Sequence, residues 1–298
     1  MKLITHYQTA GSNAQPRIAN WRENYINDAL FYSYRATDYN LKTYPSRLHY
    51  HDYYELVIIE EGDITYICEG EAVSPKSGDI ILIPPRKIHM SRIDAEETLY
   101  KRHVFYFYPE ALDFALCGAL MAFVRQKNSG YSLFTLGASR KHGMLALLHR
   151  LDRALGAGAD EKERALSMGL VIEIFYELNQ AGKANHETGK KLPDAVAEIQ
   201  KYIDEHYAEI ESVSQAAAHF YYSREYVSRL FSRCFNTTVS GYINQRRIAQ
   251  SQLLIENGIP LSEVCYRTGF GSMCAFIRAF KSVSGMTPSA YRALIRGK

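Results

Sequence analysis

One pattern in this chain is written twice, 49 residues apart. Ser223-Arg-Glu-Tyr-Val-Ser-Arg-Leu-Phe-Ser-Arg-Cys-Phe-Asn236 lies over Ser272-Met-Cys-Ala-Phe-Ile-Arg-Ala-Phe-Lys-Ser-Val-Ser-Gly285. Ser223 matches Ser272, Arg229 matches Arg278, Phe231 matches Phe280 and Asn236 matches Gly285; Ser240 and Tyr242 match Ser289 and Tyr291 beyond. Serine is a favoured N-cap because its hydroxyl accepts from an orphan backbone N–H. Gly and Asn are the residues that close a helix in the left-handed conformation. Between these caps Phe276, Ala279, Phe280 and Val283 recur at helical spacing and define a buried stripe. Val227, Leu230, Phe231 and Cys234 do the same in the first copy. At 100° per residue Cys274, Arg278 and Lys281 then face outward, as do Glu225, Arg229 and Ser232. A shorter helix and a turn, marked in the second copy by Gly269, precede each repeat, so each unit reads as a helix-turn-helix suited to a nucleic-acid groove. A helix through Tyr242, Ala249 and Leu253 joins them, which predicts two reading heads at fixed separation.

Charge supports the same reading. The formal net charge of +3 over 298 residues looks unremarkable, but it is unevenly placed. From Ser223 onward there are 11 basic and 3 acidic residues. Such clustering is the electrostatic footprint of a phosphate-binding surface. Arg224, Arg233, Arg246, Arg247 and Lys281 are the expected phosphate contacts.

Residues 193–298 resemble the DNA-binding domain of the AraC/XylS family of transcription regulators. The motifs that carry the likeness are Gly269-Phe270-x-Ser272, Phe276-x-Arg278-x-Phe280-Lys281 and Gly285-x-Thr287-Pro288-Ser289-x-Tyr291-Arg292. The resemblance implies two helix-turn-helix units, about 212–236 and 260–285, on one long connecting helix. It places Arg229 and Arg278 where family members approach bases, with Glu225 and Ser228 beside the first and Met273, Cys274 and Ala275 beside the second. Arginine can bridge guanine O6 and N7, while apolar side chains can meet thymine methyls. Tyr221 departs from the pattern, standing where the family usually has a turn glycine.

The first part of the chain is of another kind. Residues 1–45 are rich in aromatics (Tyr7, Trp21, Tyr25, Phe31, Tyr32, Tyr34, Tyr39, Tyr44) and predict strands and loops. Leu56–Ile59, Ile64–Cys68, Ile80–Ile83 and His103–Tyr108 read as short strands, punctuated by Glu60-Glu-Gly-Asp63, Glu69-Gly-Glu71 and Pro84-Pro85. Many short strands with Gly/Pro turns predict a small barrel or jelly roll. His49-x-His51-x3-Glu55-x6-Gly62, with Gly78-x5-Pro84 and His89, resembles the cupin motif. Cupin enzymes hold a divalent metal with three histidines and a glutamate, so the resemblance makes His49, His51, Glu55 and His89 the candidate effector-binding or metal-ligating residues. Thr43 and Arg86 stand where that motif has glycines.

The expected architecture is multidomain α+β. A cupin-like β-barrel effector domain spans 1–108 and a helical dimerisation segment 109–180. A polar linker follows over 181–192, then the DNA-binding domain over 193–298. Met144, Leu148, Leu151 and Leu155 form one helical stripe; Leu166, Leu170, Ile174 and Leu178 form another. Either can serve as core or as a helix–helix interface. Five cysteines without a CxxC pair predict reduced thiols in a cytoplasmic protein. No apolar signal core and no 18-residue apolar run occurs. Phosphate loops and a Gly-x-Ser-x-Gly elbow are also absent, which argues against those enzyme classes. The reading is a non-enzymatic, homodimeric regulator, by resemblance an activator, that binds double-stranded DNA and answers to a small molecule such as a sugar. It needs no cofactor, and RNA polymerase is a further partner implied by the resemblance. Two competing readings stay open: a metal-binding cupin that senses or acts on a metal-held ligand, and a regulator controlled by a protein partner.

Overall fold

The computed structural model describes residues 18–27, 29–40, 48–93, 97–112, 117–125, 132–136, 138–156, 159–180, 182–183 and 192–296. Tyr7 and Tyr44 of the aromatic opening, Thr43 and most of the expected linker lie outside them. The chain divides into two compact units. The first contains most of the β-structure and two helices; the second contains the remaining helices and the short segments around His49 and His89.

The strands form two antiparallel sheets and not a closed barrel; of the barrel or jelly roll expected, only a two-sheet arrangement is seen among the described residues. The larger comprises β1 (Ile18–Asn27), β2 (Leu30–Asn40), β3 (Tyr54–Glu61), β6 (Asp79–Ile83), β8 (Glu97–Phe107), β9 (Ser132–Thr135) and β10 (Gly182–Lys183). Their order is β1-β2-β8-β3-β6-β9-β10. The smaller sheet is β5-β4-β7, from β4 (Ile64–Cys68), β5 (Glu71–Val73) and β7 (His89–Ile93). The turns fall where the sequence puts them: Gly62 has φ +140°, the Glu69-Gly70 pair is left-handed at +50° and +85°, and β6 stops before Pro84. Strand β9 lies inside the segment expected to be helical, and β10 inside the expected linker. Four and two residues are too few to show an alternation, and pairing of β9 with β6 and of β10 with β9 decides their state.

Strand register sorts the large sheet into two faces. Phe31, Ser33, Arg35, Glu55, Val57, Ile59, Arg102, Val104 and Tyr106 pair across β2, β8 and β3 on one side. Their apolar members pack with Ile64, Tyr66, Cys68, Val73 and Ile93 of the smaller sheet, so this is the inner face of the two-sheet body. Leu30, Tyr32, Leu56, Ile58, Phe105 and Phe107 point the other way, onto α1 (Ala138–Ala154) and α2 (Glu161–Asn179). Asp160 opens α2 with a capping box: its carboxylate accepts from Glu163 N, and the Glu163 carboxylate accepts from Asp160 N, both at 2.9 Å.

Both predicted stripes are core. Met144, Leu148 and Leu151 of α1, and Leu170, Ile174 and Leu178 of α2, are buried against the sheet. Each such side chain is worth roughly 1.5–3 kcal/mol when buried, so this stripe is not available as a dimer surface. Leu166, expected on the same stripe, is instead 49% exposed. The buried helical line runs through Ser167, Leu170, Val171, Ile174, Phe175 and Leu178, one position further on.

The helices of the second unit are α3 (Asp194–His206), α4 (Val213–His219), α5 (Arg224–Phe235), α6 (Val239–Glu256), α7 (Leu261–Arg267), α8 (Met273–Ser284) and α9 (Pro288–Arg296). Val196, Ile199 and Ile203 of α3 are buried as expected. Helix α6 is the spine. Buried Tyr242 donates to Asp204 Oδ1 at 2.7 Å and accepts from Gln200 Nε2 at 2.9 Å, tying α6 to α3. Arg247 donates from Nε to the Tyr207 carbonyl at 2.9 Å and from Nη2 to the Ile210 carbonyl at 2.7 Å, which pins the α3–α4 connection. At the other end Ser251 donates to Thr268 at 3.2 Å and Glu256 accepts from the Tyr291 hydroxyl at 2.6 Å.

The two turns solve one problem differently. Tyr221 at φ +58° and Gly269 at φ +78° hold the same left-handed position after α4 and α7. Tyr221 is 97% exposed, so its side chain offsets none of the strain. A Cβ on Gly269 would fall 2.1 Å from the Ala208 carbonyl oxygen. Tyr221→Gly is therefore expected to stabilise the unit by about 1 kcal/mol, whereas Gly269→Ala should cost on the order of 3 kcal/mol. Thermal melting of the two variants checks both signs. Arg247→Ala strands two carbonyls and is expected to cost on the order of 2–3 kcal/mol; a urea midpoint equal to the parent's would show that this clamp carries no weight.

Candidate nucleic-acid interface and effector site

Each reading head is built by its caps. Ser223 Oγ accepts from Tyr226 N at 3.1 Å and Ser272 Oγ from Ala275 N at 3.2 Å, so α5 and α8 begin at equivalent points. They end at Asn236 (φ +48°) and Gly285 (φ +79°), both left-handed. Phe231 with Phe235, and Phe276 with Phe280, anchor the buried sides. The turn before α8 is one residue longer than that before α5, because Gly271 is added between Phe270 and the cap.

The outward faces carry the expected residues. Arg224, Glu225, Arg229 and Ser232 are exposed on α5, and Met273, Cys274, Arg278 and Lys281 on α8. Ser228 and Ala275 are half-buried at the same faces. Arg229 and Arg278 are the shared element; around them the first head is polar and the second largely apolar. Ile277, 39% exposed at the place equivalent to Ser228, adds to that apolar surface and was missed from sequence, where it reads as ordinary helix filler.

Arg246 and Arg247 are a correction. Arg246 is ion-paired with Asp204 and lies over the Tyr242 ring at 5.9 Å. Arg247 is held by two carbonyls and sits 5.4 Å from the Phe270 ring. Both guanidinium groups serve the interior of the domain. Sequence reasoning placed them outside because a basic residue on a helix is usually solvated, and only tertiary packing reveals the carbonyls that receive them.

The four motif residues in the first part of the chain form two pairs. His49 and His89 bridge backbone to backbone, N–H to carbonyl, at 3.0 and 2.9 Å, with ring centroids 4.3 Å apart. His51 hydrogen-bonds Glu55 through Nε2 at 2.9 Å and the Tyr53 carbonyl through Nδ1 at 2.7 Å. Both ring nitrogens of His51 thus have partners, the Tyr53 carbonyl on one side and the Glu55 carboxylate on the other. Glu55 belongs to a polar patch on the inner sheet face. Arg35 donates to Ser33 at 2.9 Å and lies 5.9 Å from the Tyr106 ring; Arg102 stacks 4.1 Å from the Tyr100 ring. The Tyr66 and Tyr100 hydroxyls meet at 2.8 Å, and burial first, then Tyr100, holds the Tyr66 phenol well above its ordinary range. These groups were invisible beforehand because strand register, not the motif, brings Arg35 and Arg102 opposite one another.

A second histidine–carboxylate group lies on the opposite sheet face. Glu60 of β3 stands 3.3 Å from His103 Nε2 and 3.6 Å from His149 Nε2 of α1. Adjacent His103 keeps the Glu60 carboxyl below its usual range, while burial pushes the His103 imidazole below its own, toward the neutral form. Tyr34 also reaches Glu60, and burial with that contact raises its phenol to about 12.

Comparison with known proteins agrees with this division. Residues 32–175 match the AraC-like ligand binding domain, and residues 216–294 match a helix-turn-helix domain. The transcriptional activator RhaS of Salmonella schwarzengrund is 24% identical over 250 residues, covering 82% of this chain and 86% of its own. The arabinose operon regulatory protein of Escherichia coli is 25% identical over 227 residues, covering 76% and 75%. Apo ToxT from Vibrio cholerae aligns over 92% of this chain and 100% of its own at 13% identity, with a TM-score of 0.36. No helix among the described residues is long and apolar enough to cross a membrane. A ligand-binding domain followed by duplicated, arginine-bearing helix-turn-helix units makes this chain a DNA-binding transcription regulator of the AraC family.

Proposed function

We propose that α5 and α8 enter successive major grooves on one face of the duplex, about 34 Å apart, and that Arg229 and Arg278 each read a guanine. The observation that carries this is the equivalent exposure of the two arginines on helices that both open at a serine cap and close at a left-handed residue. Arg224, Glu225, Ser228 and Ser232 surround Arg229 with polar groups, so the first half-site is read by hydrogen bonds. Met273, Cys274, Ala275 and Ile277 favour thymine methyls in the second, and Lys281 supplies phosphate attraction. The two half-sites therefore differ in sequence.

The effector site is proposed to draw on His51 and Glu55 together with Arg35, Arg102, Tyr66 and Tyr106. Buried charges, hydroxyls and aromatic faces suit a small polyhydroxylated ligand, and the arabinose operon protein and RhaS among the relatives favour a carbohydrate and activation. Regulation then requires that the ligand prefer one arrangement of the heads over another. The chain has no catalytic role in this reading and acts in the cytoplasm with RNA polymerase. Dimerisation is assigned to the outer side of α2, where Leu166 and Tyr176 are exposed around Gly169.

Arg278→Ala should lose roughly 1–3 kcal/mol on a selected operator and relax one base position, measured by selection from random DNA followed by titration. Equal loss on operator and random duplex would reduce Arg278 to a phosphate contact. A sugar that binds should raise the melting temperature of the parent, since a native-state ligand must stabilise it, and should fail to do so in Arg35→Ala. If no sugar in a broad panel shifts the parent, the carbohydrate assignment is wrong.

A further inference from the structure

The inner-face patch faces the smaller sheet, whereas the Glu60 group lies between the larger sheet and α1, in a place with no evident part in either DNA or effector binding. Its members come from three separate stretches: Glu60 lies near the end of β3, His103 lies in β8, and His149 projects from α1. One ligand atom from each falls within 4.8 Å of the others. His103 is fully buried, and both its Nε2 and Glu60 Oε2 are buried without a hydrogen-bond partner among the described residues. An unmatched nitrogen and an unmatched carboxylate oxygen in one buried spot call for something between them.

The separations say what. Charge-assisted hydrogen bonds close to about 2.7–2.9 Å, and neither contact does so. Ligands about 2.0–2.2 Å from a tetrahedral zinc ion sit roughly 3.3–3.5 Å from one another; here the two oxygens of one carboxylate face the two imidazoles, Oε2 at 3.3 Å from His103 and Oε1 at 3.6 Å from His149. The ring is held from behind. The Tyr32 hydroxyl lies 2.8 Å from His103 Nδ1 and 3.4 Å from the Leu148 carbonyl. Nε2 is the nitrogen directed at Glu60. This is the outer-shell arrangement that orients ligating histidines in metal sites. Asp152 of α1 adds negative charge nearby, and His149, with 40% of its side chain exposed, leaves a route from solvent.

We propose that Glu60, His103 and His149 form a binding site for a divalent transition-metal ion of the zinc class, clamping α1 onto β3 and β8. Two imidazoles and one carboxylate suit zinc and neighbouring first-row ions rather than calcium or magnesium. The remaining coordination position goes to water or to the Tyr34 hydroxyl.

The test uses full-length protein stripped with a chelator and dialysed, then titrated with zinc by calorimetry and with cobalt(II) as a visible-absorbing substitute. One equivalent should bind, with the intense absorption of a tetrahedral cobalt site, and raise the melting temperature. His149→Ala and Glu60→Ala should abolish both signals; each residue retains solvent exposure, so neither change empties the core, and circular dichroism confirms the fold. Tyr32→Phe, a positioning change, should weaken binding about ten- to a hundredfold. A His49→Ala/His51→Ala double variant should bind as the parent does. Absence of binding by the folded parent overturns the proposal. So does binding that survives in both His149→Ala and Glu60→Ala, or that is lost in the His49/His51 variant. None of these outcomes bears on DNA or sugar recognition, which fail or stand by their own assays.

Discussion

Helix α6 is the constraint on which the reading function rests. Its 18 residues span about 27 Å at 1.5 Å per residue, and one head packs at each end. A helix of that length inside a domain stays straight only if its polar neighbours are satisfied. Here Tyr242, Arg246 and Arg247 at one end, and Ser251 with Thr268 at the other, do so. Burying an arginine without partners would cost several kcal/mol; with two carbonyls in place, Arg247 becomes the bolt that holds the α3–α4 connection to the spine. The separation of α5 and α8 thus follows from buried hydrogen bonds rather than from the recognition helices themselves.

The first unit applies a different rule, the two-residue period of a strand. Along β2, β8 and β3 every second residue faces the smaller sheet, and the others face α1 and α2. One sheet therefore carries two chemistries back to back. Arg35, Glu55, Arg102 and Tyr106 occupy one side; Tyr32, Tyr34, Glu60 and His103 occupy the other. Shifting any strand by one position would exchange the sets, so the register that builds the hydrophobic core also keeps the inner polar patch apart from the histidine–carboxylate cluster.

Much of the second unit is legible in the chain itself. Ser223, Asn236, Ser272 and Gly285 mark helix ends by local chemistry, and Phe231, Phe276 and Phe280 mark the buried side by spacing. Cap hydrogen bonds form within three residues and need no distant partner. The first unit is less readable. The turns at Gly62, Glu69-Gly70 and Pro84 were visible, but β9 is too short to carry a pattern and Leu166 fell on the wrong side of its helix. The contact of His51 with the Tyr53 carbonyl is likewise encoded by no motif.

Taken alone, the amino-acid order determined the duplicated helix-turn-helix, the exposed Arg229 and Arg278, and a β-rich domain before them, because caps, turns and periodicity are properties of neighbouring residues. Tertiary structure decided which arginines face outward and which clamp the interior, that the strands form two sheets, and that Glu60, His103 and His149 converge. Those outcomes depend on residues far apart in the chain meeting across a packed core, and that proximity has no local signature.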